Sequence, residues 1–259
     1  MGAIAKAMQD VHRRIAAAVS AAQRLPDSVH LLAVSKTFPA AAVIEAYRAG
    51  QTAFGESYVQ EAVEKIAEVH ALLASGIEPA TNNHSAGVAS PSGPLLRPLE
   101  WHFIGPIQSN KTRPIAEQFD WVHSVDRLKI AERLAQARPA GRPPLNVCVQ
   151  VNIGDEQSKG GVPPSEALSL ARQIAALPGL KLRGFMTIPR PTDDVAGQRA
   201  QFRQLHELFD RARAEGLAVD TLSMGMSDDL EAAIMEGATI VRIGSAIFGA
   251  RGKTKEGLI

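Results

Sequence analysis

The sequence contains a single cysteine, Cys148. One thiol cannot close an intrachain disulfide, and it excludes a zinc site built on several thiolates. Long apolar runs are also missing, so no transmembrane helix is expected. Charge of one sign is not in excess: 28 Lys and Arg face 27 Asp and Glu, for a net charge of +1. Neither nucleic acid nor a membrane surface is therefore an expected partner. There is no G-x-x-x-x-G-K-[ST] and no H-E-x-x-H, and the 7 histidines do not fall at metal-ligand spacing, so no metal is expected. A glycine-rich turn after the first apolar run is absent too. That turn reads Ser35-Lys36-Thr37-Phe38-Pro39, which argues against an open dinucleotide-binding sheet.

The 259 residues are 45% hydrophobic and 21% charged, enough to bury a sizeable core. Short apolar runs alternate with helical patterns. The strand-like runs are Leu31–Ser35, Thr52–Gly55, Trp101–Gly105, Trp121–Ser124, Asn146–Asn152, Lys181–Thr187, Thr221–Met224 and Thr239–Ile243. Strands alternating with helices imply parallel pairing with right-handed crossovers. About eight such units in this length predict an α/β fold of one closed (β/α)8 TIM barrel, a single domain over residues 1–259. Apolar residues at Ile4, Met8, Val11, Ile15 and Val19 recur at helical spacing and predict an amphipathic N-terminal helix over about residues 1–25. Leu73–Pro98 is rich in Pro, Gly, Ser and Asn without either period, and is expected to be a flexible surface insertion.

In a parallel barrel, chemistry gathers where strands end and the following loops begin. Lys36 stands at the end of the apolar run Leu31-Leu32-Ala33-Val34. Burial there disfavours the ammonium form, which suits an imine-forming amine. Taken alone, the position fits a lysine reaching out to solvent better. Ser227 precedes the expected helix Asp228–Glu236, and Gly244 and Ser245 open the last short segment. Phosphate sites in these barrels are commonly built from the loops after strands seven and eight, although Ser227 alone would pass for a helix cap. Arg242, if it faces the barrel interior, needs an acceptor. An ion pair with Glu56 is the structural alternative. Cys148, inside an apolar strand, reads as a core residue.

Ala33-Val-Ser-Lys-Thr37, Phe54-Gly-Glu-Ser-Tyr-Val-Gln-Glu61, Trp101-His-Phe-Ile-Gly-Pro106 with Gln108-Ser-Asn-Lys111, and Ser223-Met-Gly-Met-Ser-Asp228 with Val241-Arg-Ile-Gly244 and Ile247-Phe-Gly249 occur in order along nearly the whole chain. Together they resemble the pyridoxal 5′-phosphate homeostasis protein family, also called the YggS or PROSC family. Ser57 stands where that family usually has Asn, and the 73–98 insertion is longer than usual. The resemblance implies a barrel like the N-terminal domain of alanine racemase. It implies pyridoxal 5′-phosphate (PLP) as cofactor, held by a Schiff base on Lys36. Ser227, Gly244 and Ser245 would hold the phosphate, and Arg242 would face the pyridine nitrogen. Ser57, His102 and Met224 would complete the cofactor-binding set, with no catalytic residue assigned. The implied role is intracellular vitamin B6 homeostasis: cofactor buffering, storage or delivery by a cytoplasmic monomer, with apo PLP-dependent enzymes as possible recipients. The alternatives are a PLP-dependent amino-acid racemase or related α-carbon enzyme, and a barrel enzyme acting on another phosphorylated metabolite.

Overall fold

A computed structural model describes residues 2–75, 98–154 and 160–250. Of the insertion expected at 73–98, residues 76–97 lie outside the described residues. Eight strands alternate with helices: α1 (Ala3–Ala21), β1 (His30–Val34), α2 (Ala40–Arg48), β2 (Ala53–Glu56), α3 (Val59–Ala74), β3 (Glu100–Phe103), α4 (Thr112–Gln118), β4 (Trp121–Val125), α5 (Leu128–Ala137), β5 (Leu145–Gln150), α6 (Pro164–Ala175), β6 (Leu180–Met186), α7 (Val195–Ala214), β7 (Thr221–Ser223), α8 (Leu230–Met235), β8 (Ile240–Ile243) and α9 (Ser245–Phe248). The strands form a closed parallel barrel in sequence order. Closure places Leu32 of β1 opposite Arg242 of β8, and Ala33 opposite Ile243. The predicted (β/α)8 architecture is the observed one.

Two apolar regions follow from the strand period of two. One parity, including Leu31, Ala33, Phe54, Phe103, Val122, Val147, Leu222 and Val241, packs with the helices in the outer core. The other parity faces the lumen, where Leu32, Trp121, Cys148, Met186 and Ile240 form a separate small cluster. Fully burying side chains such as Phe54 or Phe103 contributes about 2–3 kcal/mol each. The N-terminal helix is present over Ala3–Ala21, burying Met8, Val11, Ile15, Ala18 and Val19 at the spacing that matches one helical face.

Three boundaries differ from the sequence reading. The 3-10 turn Ser109–Lys111 and α4 fill a stretch to which the sequence reading assigned no helix. Pro114 lies inside this helix, but at its third residue, where a missing N–H leaves no intrahelical bond unmade. Leu73 and Ala74 close α3. Finally, α8 begins at Leu230, with Asp229 at the N-cap position, so Ser227 occupies a turn before the helix and is not its N-cap.

Candidate functional site

Lys36 lies two residues beyond β1, in the lumen-facing parity of Leu32 and Val34. It lines a small cleft with Val34, Phe38, Gly244, Ser245 and Gly249. The loops after the first and last strands therefore meet at the mouth of the barrel. The loop after β7 joins them, since Ser245 Oγ donates to Ser227 Oγ at 3.1 Å. That loop depends on Gly225, whose φ of +94° is left-handed and where an added Cβ would come within 2.6 Å of the Ala233 Cβ. Only glycine satisfies both conditions. From α1, Arg14 reaches over to support the same turn. Its Nη2 donates to the Ser227 carbonyl at 2.9 Å, while Nε holds Glu231 of α8 at 2.7 Å.

The Lys36 turn is braced from behind. Buried Lys65 of α3 donates to the Ser35 carbonyl at 2.8 Å, Glu56 Oε1 at 2.8 Å and Glu61 Oε1 at 2.7 Å. Ser35 Oγ donates to Glu56 Oε1 at 2.6 Å, and the Thr37 N–H to Glu61 Oε1 at 2.6 Å. Thr37 has φ +68°, a conformation that costs a β-branched residue about 1–3 kcal/mol. Lys65 and its two carboxylates thus fix the residues on either side of Lys36. Burial raises the Glu56 carboxyl above its ordinary range, and Lys65 opposes that rise.

Arg242 is 4% exposed. Its Nη1 donates to Ser223 Oγ at 2.8 Å and its Nη2 to the Thr187 carbonyl at 2.9 Å. Desolvation pulls its pKa down to about 10, with Asp229 opposing, so the guanidinium stays charged at neutral pH. The alternative of an Arg242–Glu56 ion pair is not formed, because Glu56 is paired with Lys65. A larger cavity of about 690 Å³ opens at the other end of the barrel, lined among others by His30, Glu100, His102, Trp121, Arg183 and Asp220. Size does not make it the site of chemistry: it lies at the N-terminal ends of the strands, away from Lys36, and parallel barrels work at the opposite face.

The family model described as alanine racemase, N-terminal domain, matches residues 11–252. A pyridoxal phosphate homeostasis protein from Pseudomonas aeruginosa is 55% identical over 251 residues, covering 97% of each chain. The chain belongs to the pyridoxal phosphate homeostasis protein family. The Escherichia coli K12 protein of that name is 48% identical over 256 residues, covering 99% of this chain and 100% of the relative. Among solved structures, PipY of Synechococcus elongatus PCC7942 with PLP bound matches with TM-score 0.74 at 35% identity, covering 95% of this chain and 100% of PipY. Alanine racemase from Corynebacterium glutamicum matches with TM-score 0.63 at 17% identity, covering 99% of this chain and 63% of the racemase. That last likeness is one of fold.

In this homeostasis-family barrel, the structure gathers Lys36, Ser227, Gly244 and Ser245 around one mouth, with Arg242 in the lumen beneath. Ser57 follows β2 in the lumen-facing parity and is buried. Its backbone packs so closely on Gly105, after β3, that any Cβ there would collide with the Ser57 carbonyl. Two expected members do not join. Met224 is fully buried in the outer core, because Ser223 takes the inward position and the next residue must turn outward. His102 is the third residue of a four-residue strand and lines the cavity at the N-terminal end. Its hydrogen bonds run to Glu100 and His123, and it reaches the site only through them. Sequence reading missed Lys65, Glu61 and Arg14. Of these, only Lys65 with Glu61 left a sequence signal, the i, i+4 spacing on α3.

Proposed function

We propose that this chain binds PLP at the C-terminal mouth of the barrel, with Lys36 as the covalent anchor, and buffers, stores or delivers the cofactor without turnover of its own. The observation that carries this reading is the meeting of Lys36 with Gly244 and Ser245 in one cleft. It puts an amine beside a hydroxyl-lined loop at the place where barrels hold phosphate. The residues fit the cofactor. The Ser227 and Ser245 hydroxyls converge where a phosphate would need donors. Arg242, buried in the lumen, keeps donor capacity beyond its bonds to Ser223 and Thr187.

When bound, PLP supplies an aldehyde for an amine and a ring that draws electrons from it. The protein decides how far that ring is used. An arginine has donors only and stays protonated, so a ring nitrogen facing Arg242 must accept a hydrogen bond and stay unprotonated. A carboxylate partner would instead hold a proton there. The Arg242 arrangement supports tight, oriented holding and poorly supports carbanion chemistry. Lys36, braced through Ser35 and Thr37, holds the anchoring amine at the mouth. The two tyrosines, Tyr47 and Tyr58, are no second acid/base pair for it. Tyr47 is buried in the outer core, and Tyr58 is 53% exposed beyond β2.

In this reading the barrel holds PLP as a monomer, and its recipients are apo PLP-dependent enzymes. Among the described residues, no helix is long and apolar enough to cross a membrane. The lone, buried thiol of Cys148 suits a reducing compartment, and the cytoplasm is the compartment we assign. The deciding experiment is the visible absorption spectrum after incubation with PLP, parent beside Lys36→Ala. A band of a lysine-bound cofactor in the parent, lost in the variant, supports the reading. A parent without a band overturns it. Exchange of the α-proton of an amino acid, dependent on Lys36, would move the assignment to an enzyme.

A further inference from the structure

Arg242 has no carboxylate within ion-pair distance among the described residues, yet it is buried. From its partner Ser223 a line of hydrogen bonds crosses the lumen. Ser223 Oγ meets His123 Nδ1 at 2.7 Å, His123 Nε2 meets His102 Nδ1 at 2.8 Å, and His102 Nε2 meets Glu100 Oε1 at 2.7 Å. The line passes from β8 through β7, β4 and β3, and ends at the floor cavity, where the Glu100 side chain is half exposed. His102 is clamped in plane by stacking on Trp121, with centroids 5.3 Å apart and 7° between planes, and Arg183 covers the same indole at 4.4 Å.

The two ends constrain the protons between them. Arginine only donates, and a carboxylate only accepts. The hydrogen bond from His102 holds the Glu100 carboxyl below its usual range, so it is ionised at neutral pH. Burial, with His102 and Arg242 nearby, pushes His123 well below its usual range and keeps it neutral. With one proton on each ring, one arrangement satisfies all partners. Arg242 donates to Ser223, Ser223 to His123 Nδ1, His123 Nε2–H to His102 Nδ1, and His102 Nε2–H to Glu100. We propose that Ser223, His123, His102 and Glu100 are positioning residues for Arg242: a one-way relay that locks the guanidinium in place. A carboxylate in direct contact would occupy the guanidinium fork in bidentate fashion. The relay ties one Nη and leaves donors for a ring nitrogen above. The consequence for the cofactor rests on the reading under Proposed function; the relay itself does not.

The test has two parts. The first uses cofactor-free protein with ¹⁵N-labelled histidine at pH 8, observed by two-bond ¹H–¹⁵N correlation. Both His102 and His123 are expected as neutral rings carrying the proton on Nε2. An Nδ1–H ring at either position, or a doubly protonated His102, overturns the relay. The second uses the PLP-loaded protein. Ser223→Ala is expected to weaken cofactor binding about tenfold, as loss of one hydrogen bond to a charged group does, and to shift the absorption band. Ser223→Thr, which keeps the hydroxyl, restores both. Glu100→Gln, at a half-exposed position with unchanged shape, is expected to move the His102 and His123 signals together. Unchanged affinity and spectrum in Ser223→Ala, or an unmoved His123 signal in Glu100→Gln, overturns the proposal. A parent that binds no PLP defeats the functional reading instead, and the imidazole signals still decide the relay.

Discussion

Replacing Lys65 by Met tests how the Lys36 turn is held. The side chain of Lys65 is 5% exposed and that of its partner Glu56 is 0% exposed. The substitution keeps most of the volume and removes three hydrogen bonds at once, to Ser35, Glu56 and Glu61. Glu56 is left with the Ser35 hydroxyl on Oε1, while its Oε2 has no partner among the described residues even in the parent. Breaking a buried pair from one side costs about 3–5 kcal/mol, which for a chain of this size lowers the melting temperature by about 6–20 °C. The loss has a pH signature. The folded-state pKa of Glu56 is raised above the ordinary 4.5 by burial, with Lys65 pulling it back. A raised acid binds its proton more tightly when folded, so stability is greatest below the unfolded pKa and falls as pH rises through the folded one. Without Lys65 the rise grows. Lys65→Met should therefore lose more stability at pH 8 than at pH 5, read by urea unfolding followed by far-UV circular dichroism. Adding Glu56→Leu should recover most of the loss and flatten the pH dependence. A loss below about 1 kcal/mol at both pH values, or equal large losses, would refute the reasoning.

Other outcomes follow from single contacts. Gly225→Ala combines φ +94° with a 2.6 Å approach to Ala233 and should destabilise by about 1–3 kcal/mol, with weaker PLP binding because the Ser227 turn shifts; calorimetry and cofactor titration check both. Arg14→Ala removes the donor to the Ser227 carbonyl and should raise the PLP dissociation rate in stopped-flow absorbance while moving stability by about 1 kcal/mol or less, since its pair with Glu231 is exposed. Burial pushes the Cys148 thiol up to about 12, so a thiolate-specific reagent at pH 8 should titrate no thiol in the native protein and one in urea; fast native labelling would contradict the lumen-facing placement.

The eight strands were legible because parallel strands covered by helices leave near-continuous apolar runs. Lys36 was legible because it continues the inward parity of Leu32 and Val34 past the strand end. Met224 lies apart from the gathered residues because its odd offset from Ser223 sends it outward. His102 lies apart for a different reason: its strand is four residues long, and the height of a residue in a barrel depends on register with its neighbours. The Lys65 brace and the His102–His123 contact depend on how α3 lies over β1 and how β3 meets β4. No spacing along one chain encodes those distances.

Closure of the barrel carries a cost in time. His30 to Ala33 of β1 find their last partners in Ile240 to Ile243 of β8, roughly 200 residues later. At translation rates of about 5–20 residues per second, that strand waits on the order of 10–40 s with one edge unpaired, and an unpaired edge is a template for other chains. The polar lumen lengthens the vulnerable period, since His123 on β4 gains Ser223 only when β7 arrives. A ribosome stalled before β7 would thus present both a sticky edge and a half-filled polar interior, and the nascent chain should be most susceptible to aggregation and to chaperone capture in that interval.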